Sequence, residues 1–289
     1  MNARVAVMAR VGAHGSFQER GAREEAAAVL NTPFGPSAPL HLLSWGEVAF
    51  IVLSRHGEDR YATAAPFVND RANIWALKEA GVERILSWSA PGSLNPSLAP
   101  GSLVIVDDLL DETRSGPRTF FEGLGIGVIR QDPVFCPEIR KIMMETLAGG
   151  DPFPVHTRGI YVSVEGPRLE TRVEIRKYRM CGGDLIGMNL APEAFLAKEL
   201  EMCYGALCYP VNFAEGIKDR PYVRGVLFEG LADREELEQV RNVEAAFPDL
   251  IRPLLGPVAT FRRDCPCPAA MERYKVRGDI GADFRTWIR

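Results

Sequence analysis

Short apolar runs alternate with amphipathic segments of helical period along most of this 289-residue chain. Residues 5–8 predict a first strand, "APLHLLSW" and "EVAFIVLS" predict a hairpin, and "SLVIVDDLLD" predicts one further strand. The segments "VNDRANIWALKEAG" and "ADREELEQVRNVEAAFPDLIRPLL" carry the spacing of helices with one buried face. Alternation of this kind is typical of an α/β fold with a largely parallel sheet.

The organisation and charge of the chain limit the classes of protein it can belong to. No linker rich in proline, glycine or serine interrupts the alternation, so we expect one domain over residues 1–264. The Arg-rich residues 265–289 look irregular and predict a tail that packs on a neighbour or stays mobile. A net charge of −4 without a basic run predicts no nucleic-acid binding. The sequence contains no apolar stretch of about 18 residues and no signal-peptide core, so we expect no membrane span and a cytoplasmic location.

Six cysteines raise the question of a metal site. Cys265 and Cys267 form a Cys-x-Cys pair in the tail. Because neither a second pair nor a nearby histidine completes a zinc set, we expect no metal, and a structural turn or a redox-labile disulfide there instead. The other four cysteines, in apolar surroundings, are predicted to be buried thiols: Cys136, Cys181, Cys203 and Cys208.

The loop after the first predicted strand has some features of a phosphate cradle. A glycine-rich loop at this place holds phosphate on its backbone N–H groups in many α/β proteins. Gly12 and Gly15 fit such a loop, but Ala9, Arg10 and Val11 stand where a cradle needs glycine or a hydroxyl. The segment is therefore a phosphate loop, a broken one, or no such loop.

Polar side chains follow several other predicted strands. Ligands bind at the carboxyl ends of strands in α/β sheets, so these side chains are candidates for one site. A cation and a hydroxyl among backbone donors suit an anion, whereas a carboxylate and an amide suit a flat heterocycle with N–H and C=O groups. Taken singly, each has an ordinary structural explanation, such as a surface ion pair or a helix-dipole contact. The candidates are Arg55 and His56, Ser89 and Ala90, Leu169 and Glu170, Met188 and Asn189, and Asn212.

Several motifs in one order resemble the trimeric nucleoside phosphorylases of the methylthioadenosine phosphorylase and purine nucleoside phosphorylase group. The resemblance runs from about residue 3 to about residue 255, across "NTPFGPSAPL", "SRHG", "SAPGSLNPSLAPGS", "FCPEIRK", "VEGPRLET" and "GMNLAPEAFLAKELEMCYG". It implies a single α/β domain around a mixed, largely parallel, barrel-like sheet flanked by helices. It also implies a homotrimer with sites near the interfaces, a purine nucleoside and phosphate as substrates, and no cofactor.

The resemblance also implies a role for each candidate residue. Glu170 and Asn212 match the base-recognition pair of members that act on 6-oxopurines, whereas adenine-specific members carry aspartate at the second position. These two residues are also the implied catalytic pair, because they stabilise the leaving purine. Leu169 matches a residue against the base and Met188 one against the ribose. The implied phosphate contacts are Arg55, His56, Ser89 and Ala90.

The chain departs from the family pattern at the phosphate end. Its first loop lacks the usual glycines and hydroxyl, and Asn189 replaces a serine or threonine. One interpretation is a remodelled phosphate site, with Arg10 and Asn189 as substitute contacts, in an enzyme that cleaves 6-oxopurine nucleosides such as inosine, guanosine or methylthioinosine. A second is a phosphate-independent nucleosidase or another repurposed nucleoside-processing enzyme. The third is a non-catalytic purine-binding paralogue.

Overall fold

The structure, a computed structural model, describes residues 1–149 and 152–288. No helix in these ranges is long and apolar enough to cross a bilayer. The helices are α1 (Ala13–Glu19), α2 (Asp70–Glu79), α3 (Pro137–Thr146), α4 (Arg172–Met180), α5 (Leu190–Glu199), α6 (Arg234–Thr260) and α7 (Glu272–Arg277). The strands are β1 (Val5–Ala9), β2 (Arg23–Ala28), β3 (Asn31–Thr32), β4 (Gly35–Pro36), β5 (Leu40–Trp45), β6 (Val48–Ser54), β7 (Arg84–Ser89), β8 (Gly92–Ser93), β9 (Leu103–Ile105), β10 (Asp108–Asp111), β11 (Val155–His156), β12 (Ile160–Ser163), β13 (Leu185–Gly187), β14 (Cys203–Cys208) and β15 (Asn212–Phe213).

An eight-stranded mixed sheet forms the centre, in the order β11-β9-β14-β7-β1-β6-β5-β2. Its middle strands β14, β7, β1 and β6 run parallel, while β5 and β6 form the predicted antiparallel hairpin. A second sheet has the order β10-β12-β13-β8-β15 and is also largely parallel. The predicted mixed, largely parallel α/β architecture flanked by helices is confirmed.

Helices cover both faces of the central sheet, and the middle strands are therefore apolar on both faces. Along β1, Ala6 and Met8 face a core formed with α2 and α5. The alternate residues Val5 and Val7 face a second core formed with α1, α3 and α6. This alternation is the period-two pattern of a strand buried between two layers.

Two predictions about elements need correction. The segment "SLVIVDDLLD" is not one strand, because it divides into β9 in the central sheet and β10 in the second sheet. Over residues 265–288 the tail has regular structure rather than an irregular course. It forms α7 and two 3₁₀ turns, and Met271 and Trp287 are buried in a core of the same chain. The ring of Phe284 packs edge-on against Trp75 of α2, 4.9 Å between centroids.

Candidate active site

Seven of the predicted site residues line one cavity where the two sheets meet. They come from loops after β6 and β12, from the segment between β7 and β8, from the turn between β13 and α5, and from the start of β15. The strand-end argument therefore brings residues far apart in sequence to one place. They are His56, Ala90, Leu169, Glu170, Met188, Asn189 and Asn212.

The base end of the cavity carries an amide and a carboxyl group. Asn212 opens β15 and pairs in register with Gly92 of β8. A Cβ at Gly92 would lie 3.0 Å from Asn212 Oδ1, so only glycine leaves the amide its full space. Glu170 precedes α4, whose first turn is fixed by a capping box between Thr171 and Glu174. The rigid start of α4 therefore positions the carboxyl group.

The environment of Glu170 changes its chemistry. Burial raises the pKa of this carboxyl above its usual range. Within the described ranges, neither Glu170 nor Asn212 is hydrogen-bonded to another side chain, whereas most buried polar groups in proteins have a hydrogen-bond partner in the protein or in ordered water. Both groups are thus free to bind a ligand that offers N–H and C=O groups.

The opposite end of the cavity contains a chain of hydrogen-bonded polar side chains. His56 Nδ1 donates to Thr63 O at 2.9 Å, which leaves Nε2 to accept from Asn189 Nδ2 at 3.2 Å. Asn189 Oδ1 accepts from Ser89 Oγ at 3.2 Å. Burial lowers the pKa of His56, so this ring is neutral near pH 7. Asn189 is therefore hydrogen-bonded to both His56 and Ser89, the neighbouring side chains that the family resemblance assigns to phosphate.

Arg55 lies behind the cavity wall rather than on it. Its guanidinium binds both carboxylate oxygens of Glu193, and the two side chains are almost completely buried. Nη2 also donates to Ser87 Oγ at 2.7 Å, and Nη1 to Trp88 O at 3.3 Å. Glu193 accepts a further hydrogen bond from Tyr204 at 2.6 Å. Internal partners therefore occupy the donors that the sequence assigned to phosphate.

The loop after β1 does not reach the cavity wall either. Gly12 has a φ of 66°, which favours glycine, and it caps α1. The side chain of Arg10 lies near Tyr209, the phenol that donates to Glu244 at 3.1 Å. Its Nε has no hydrogen-bond partner among the described residues. Within that part of the chain, no lysine or arginine lines the cavity.

The structure adds residues to the site that the sequence did not indicate. Tyr61 stacks on His56 with ring centroids 4.7 Å apart, and Val211 and Glu215 complete the wall. Tyr61 lies in a loop without a regular pattern, so no sequence signal identifies it.

The two-sheet α/β architecture, with an amide and a carboxyl group facing an apolar cavity, defines a nucleoside phosphorylase fold. The family model described as "Phosphorylase superfamily" matches residues 8–252. The chain belongs to the phosphorylase superfamily.

Relatives of known name divide between two purine specificities. The chain is 37% identical to the 6-oxopurine nucleoside phosphorylase of Pyrococcus furiosus, over 93% of this chain and 98% of that protein. It is 44% identical to the S-methyl-5'-thioadenosine phosphorylase of Pyrococcus horikoshii, over 68% of this chain and 76% of that protein. A methylthioadenosine phosphorylase structure from an antarctic soil metagenomic library superimposes with a TM-score of 0.82 at 29% identity, covering 93% of this chain and 91% of that one.

Proposed function

We propose that this protein is a pentosyltransferase that cleaves the N-glycosidic bond of 6-oxopurine nucleosides with phosphate. The observation that carries the proposal is the pair Glu170 and Asn212, unpartnered by other side chains and facing one cavity with Met188. The 6-oxopurine nucleoside phosphorylase of Pyrococcus furiosus, at 37% identity, supports it.

The chemistry of glycosidic cleavage explains these residue types. Cleavage builds positive charge on the sugar and negative charge on the purine. The Asn212 amide can donate a hydrogen bond to purine N7, and it can donate to or accept from other groups at the purine edge. These hydrogen bonds stabilise the leaving base. An ionised Glu170 accepts the N1 proton that a 6-oxopurine has and adenine lacks. A buried acceptor left unpaired by adenine supplies the discrimination.

Base preference tests this assignment. We expect Asn212→Asp to lower kcat/KM for inosine and to improve activity on adenosine relative to inosine. Asn31→Asp, at an exposed position of β3, is the matched control and should leave the ratio unchanged. Equal or higher wild-type activity on adenosine than on inosine would contradict the 6-oxopurine assignment.

A specific observation favours a second candidate function, phosphate-independent hydrolysis. The wall formed by described residues has no lysine or arginine, Arg55 is paired with Glu193, and His56 is neutral. A phosphate dianion in such a cavity lacks the charge-assisted contacts that usually bind it. The products of inosine cleavage distinguish the two activities: ribose 1-phosphate identifies a phosphorylase, and free ribose at a rate independent of phosphate identifies a nucleosidase.

We further propose that the protein is a homotrimer. Exposed apolar side chains near the cavity support this assembly. Tyr61 and Leu231 line the cavity wall. Phe67 and Leu227 lie close in sequence to these two residues and are 74% and 58% exposed. A partner subunit covering them would also close the cavity.

A further inference from the structure

Four cysteine side chains meet inside the protein, away from the cavity. Cys136, Cys203, Cys265 and Cys267 are all buried, and their sulfur atoms lie within 4.8 Å of one another. The sequence analysis missed this cluster because 67 residues separate Cys136 from Cys203, and 62 separate Cys203 from Cys265. Its expectation of no metal rested on the absence of a second closely spaced pair in the sequence, and such spacing gives no information on single cysteines that the fold brings together. Cys181, predicted to be buried, is exposed.

The positions of the four sulfurs match those of a tetrahedral metal site. A zinc ion with four sulfur ligands at about 2.3 Å holds each pair of sulfurs at about 3.8 Å. Here Cys203 Sγ and Cys265 Sγ are 3.5 Å apart, and all other pairs fall below 4.8 Å. A modest inward shift of the side chains would place all four at bonding distance from one ion.

Regular backbone hydrogen bonds hold two of the ligands. Cys203 opens β14, and its N–H donates to Glu83 O at 2.8 Å. Cys136 immediately precedes α3 and donates from its N–H to Tyr204 O at 2.8 Å. The sheet and a helix start therefore preorganise half of the cluster, and the tail supplies the other half.

The charges around the cluster suit a thiolate site. Four thiolates around a divalent cation carry a net charge of −2, which nearby cations stabilise. The guanidinium of Arg263 and the ammonium of Lys198 both lie close enough to the cluster to interact with its charge, the first with Cys203 and the second with Cys267.

We propose that Cys136, Cys203, Cys265 and Cys267 form a structural tetrathiolate site for a divalent thiophilic cation such as Zn²⁺. All four ligand positions are protein sulfurs, and none lines the cavity, so the ion has a structural role rather than a catalytic one. Binding joins the tail to β14 and α3 and thereby fixes the start of the segment that buries Met271 and Trp287. Metal binding of this kind contributes directly to folding free energy.

Metal analysis of the full-length protein tests the proposal. The protein is produced with added zinc and purified with a thiol reductant and without chelator. Plasma mass spectrometry should then find about one zinc per chain. The double variant Cys265→Ser/Cys267→Ser should retain less than about a tenth of that zinc. The control variant Cys181→Ser changes an exposed cysteine outside the cluster and should retain all of it.

Two further measurements do not depend on the folding of a variant. Replacing zinc by Co²⁺ in the wild-type protein should produce the intense thiolate-to-cobalt absorption of a tetrahedral sulfur site. Removing the metal with a chelator should lower Tm and leave six reactive thiols in the unfolded chain.

Three outcomes would overturn the proposal. A wild-type protein without zinc and with only two reactive thiols would contain two disulfides in place of a metal. Full zinc retention by the double variant would place the ion elsewhere. A cobalt protein without thiolate absorption would exclude sulfur ligation.

Discussion

At the scale of single residues, Asn189 does most to change the phosphate end of the cavity. An amide offers both a donor and an acceptor, and here both are used, toward His56 at 3.2 Å and from Ser89 at 3.2 Å. Phosphate binding in this protein therefore has to replace existing hydrogen bonds, which lowers the net gain from each new contact.

The raised pKa of Glu170 predicts the pH dependence of base binding. The ionised carboxyl accepts the purine N1–H, and protonation removes that acceptor. Because burial raises the pKa, affinity for hypoxanthine should fall with decreasing pH already above the usual glutamate range of about 4.3. Calorimetric titration from pH 8 to pH 4.5 measures this decrease.

A substitution tests whether Glu170 causes the decrease in hypoxanthine affinity at acidic pH. Glu170→Gln should weaken hypoxanthine binding at pH 7.5 by about 10- to 100-fold, the effect of losing a charged hydrogen bond. It should also remove most of the pH dependence. Glu215→Gln, on the same cavity wall, is the control. An unchanged acidic decrease in Glu170→Gln would show that another group is responsible.

Sequence reasoning brought Glu170 and Asn212 to one cavity, where their role in base binding stays a prediction, but it missed the surroundings of Arg55. The rule that ligands bind at strand ends needs only the order of strands, and it brings Glu170 and Asn212 to one cavity. The partner of Arg55 is 138 residues away, in α5. A pairing between residues so distant in a single sequence has no local signal, so the ion pair with Glu193 was not predictable.

At the scale of elements, periodicity predicted the helices α2 and α6 and the strands β1, β5 and β6. The periodicity argument failed where one continuous apolar run contributes strands to two different sheets. After β9 the chain turns at Asp107, which accepts a hydrogen bond from Gly159 N–H at 2.8 Å, and continues as β10. That partner again comes from a distant segment, so the apolar run looked continuous. Helix α6 contains three prolines, and it nevertheless extends to Thr260 because its apolar stripe is buried.

The loop after β1 gives a prediction at this scale. The loop after β1 does not line the cavity, but in Ala9→Gly/Arg10→Gly/Val11→Thr the restored glycines let its backbone approach phosphate and the restored hydroxyl supplies a donor. We expect the KM for phosphate to fall about tenfold or more, the worth of one charge-assisted hydrogen bond. Initial rates of inosine cleavage at varied phosphate measure the change.

Arg10→Ala is the control for the loop variant. Its guanidinium lies near Tyr209 and not on the cavity wall, so its removal alone should change the KM for phosphate by less than about threefold. An unchanged phosphate KM in the triple variant would show that the loop no longer takes part in binding. A large rise in Arg10→Ala would show that the arginine turns toward phosphate when the ligand is bound.

At the scale of the whole molecule, the site exists only where two sheets meet. Gly92 pairs with Asn212 in β15 and with Ile186 in β13, and it follows directly on the end of the central strand β7. This arrangement connects the base end of the cavity to the central sheet. The alternation of strands and helices predicted the class of fold, but the division into two sheets depends on pairing between strands distant in sequence.

The exposed apolar surface of the whole molecule predicts that the protein assembles into an oligomer. Single exposed apolar side chains are ordinary, but several together beside a site indicate an interface. Here Tyr61 lines the cavity and Phe67 follows two residues after Ala65 of its wall, while Tyr222 and Leu227 belong to the segment that leads to Leu231, also on the wall. We therefore expect light scattering at micromolar concentration to give about 96 kDa, three times the chain mass of 31.9 kDa.

Charge substitutions test the interface of the proposed trimer. Phe67→Glu and Leu227→Glu each place a carboxylate in a desolvated contact, which should shift the protein toward a monomer of about 32 kDa. The KM for the nucleoside should rise in the same variants, because the partner no longer closes the cavity. Met180→Glu, at a more exposed position on α4, is the control and should leave the proposed trimer intact. A wild-type protein that stays monomeric and fully active would show that one subunit holds the complete site.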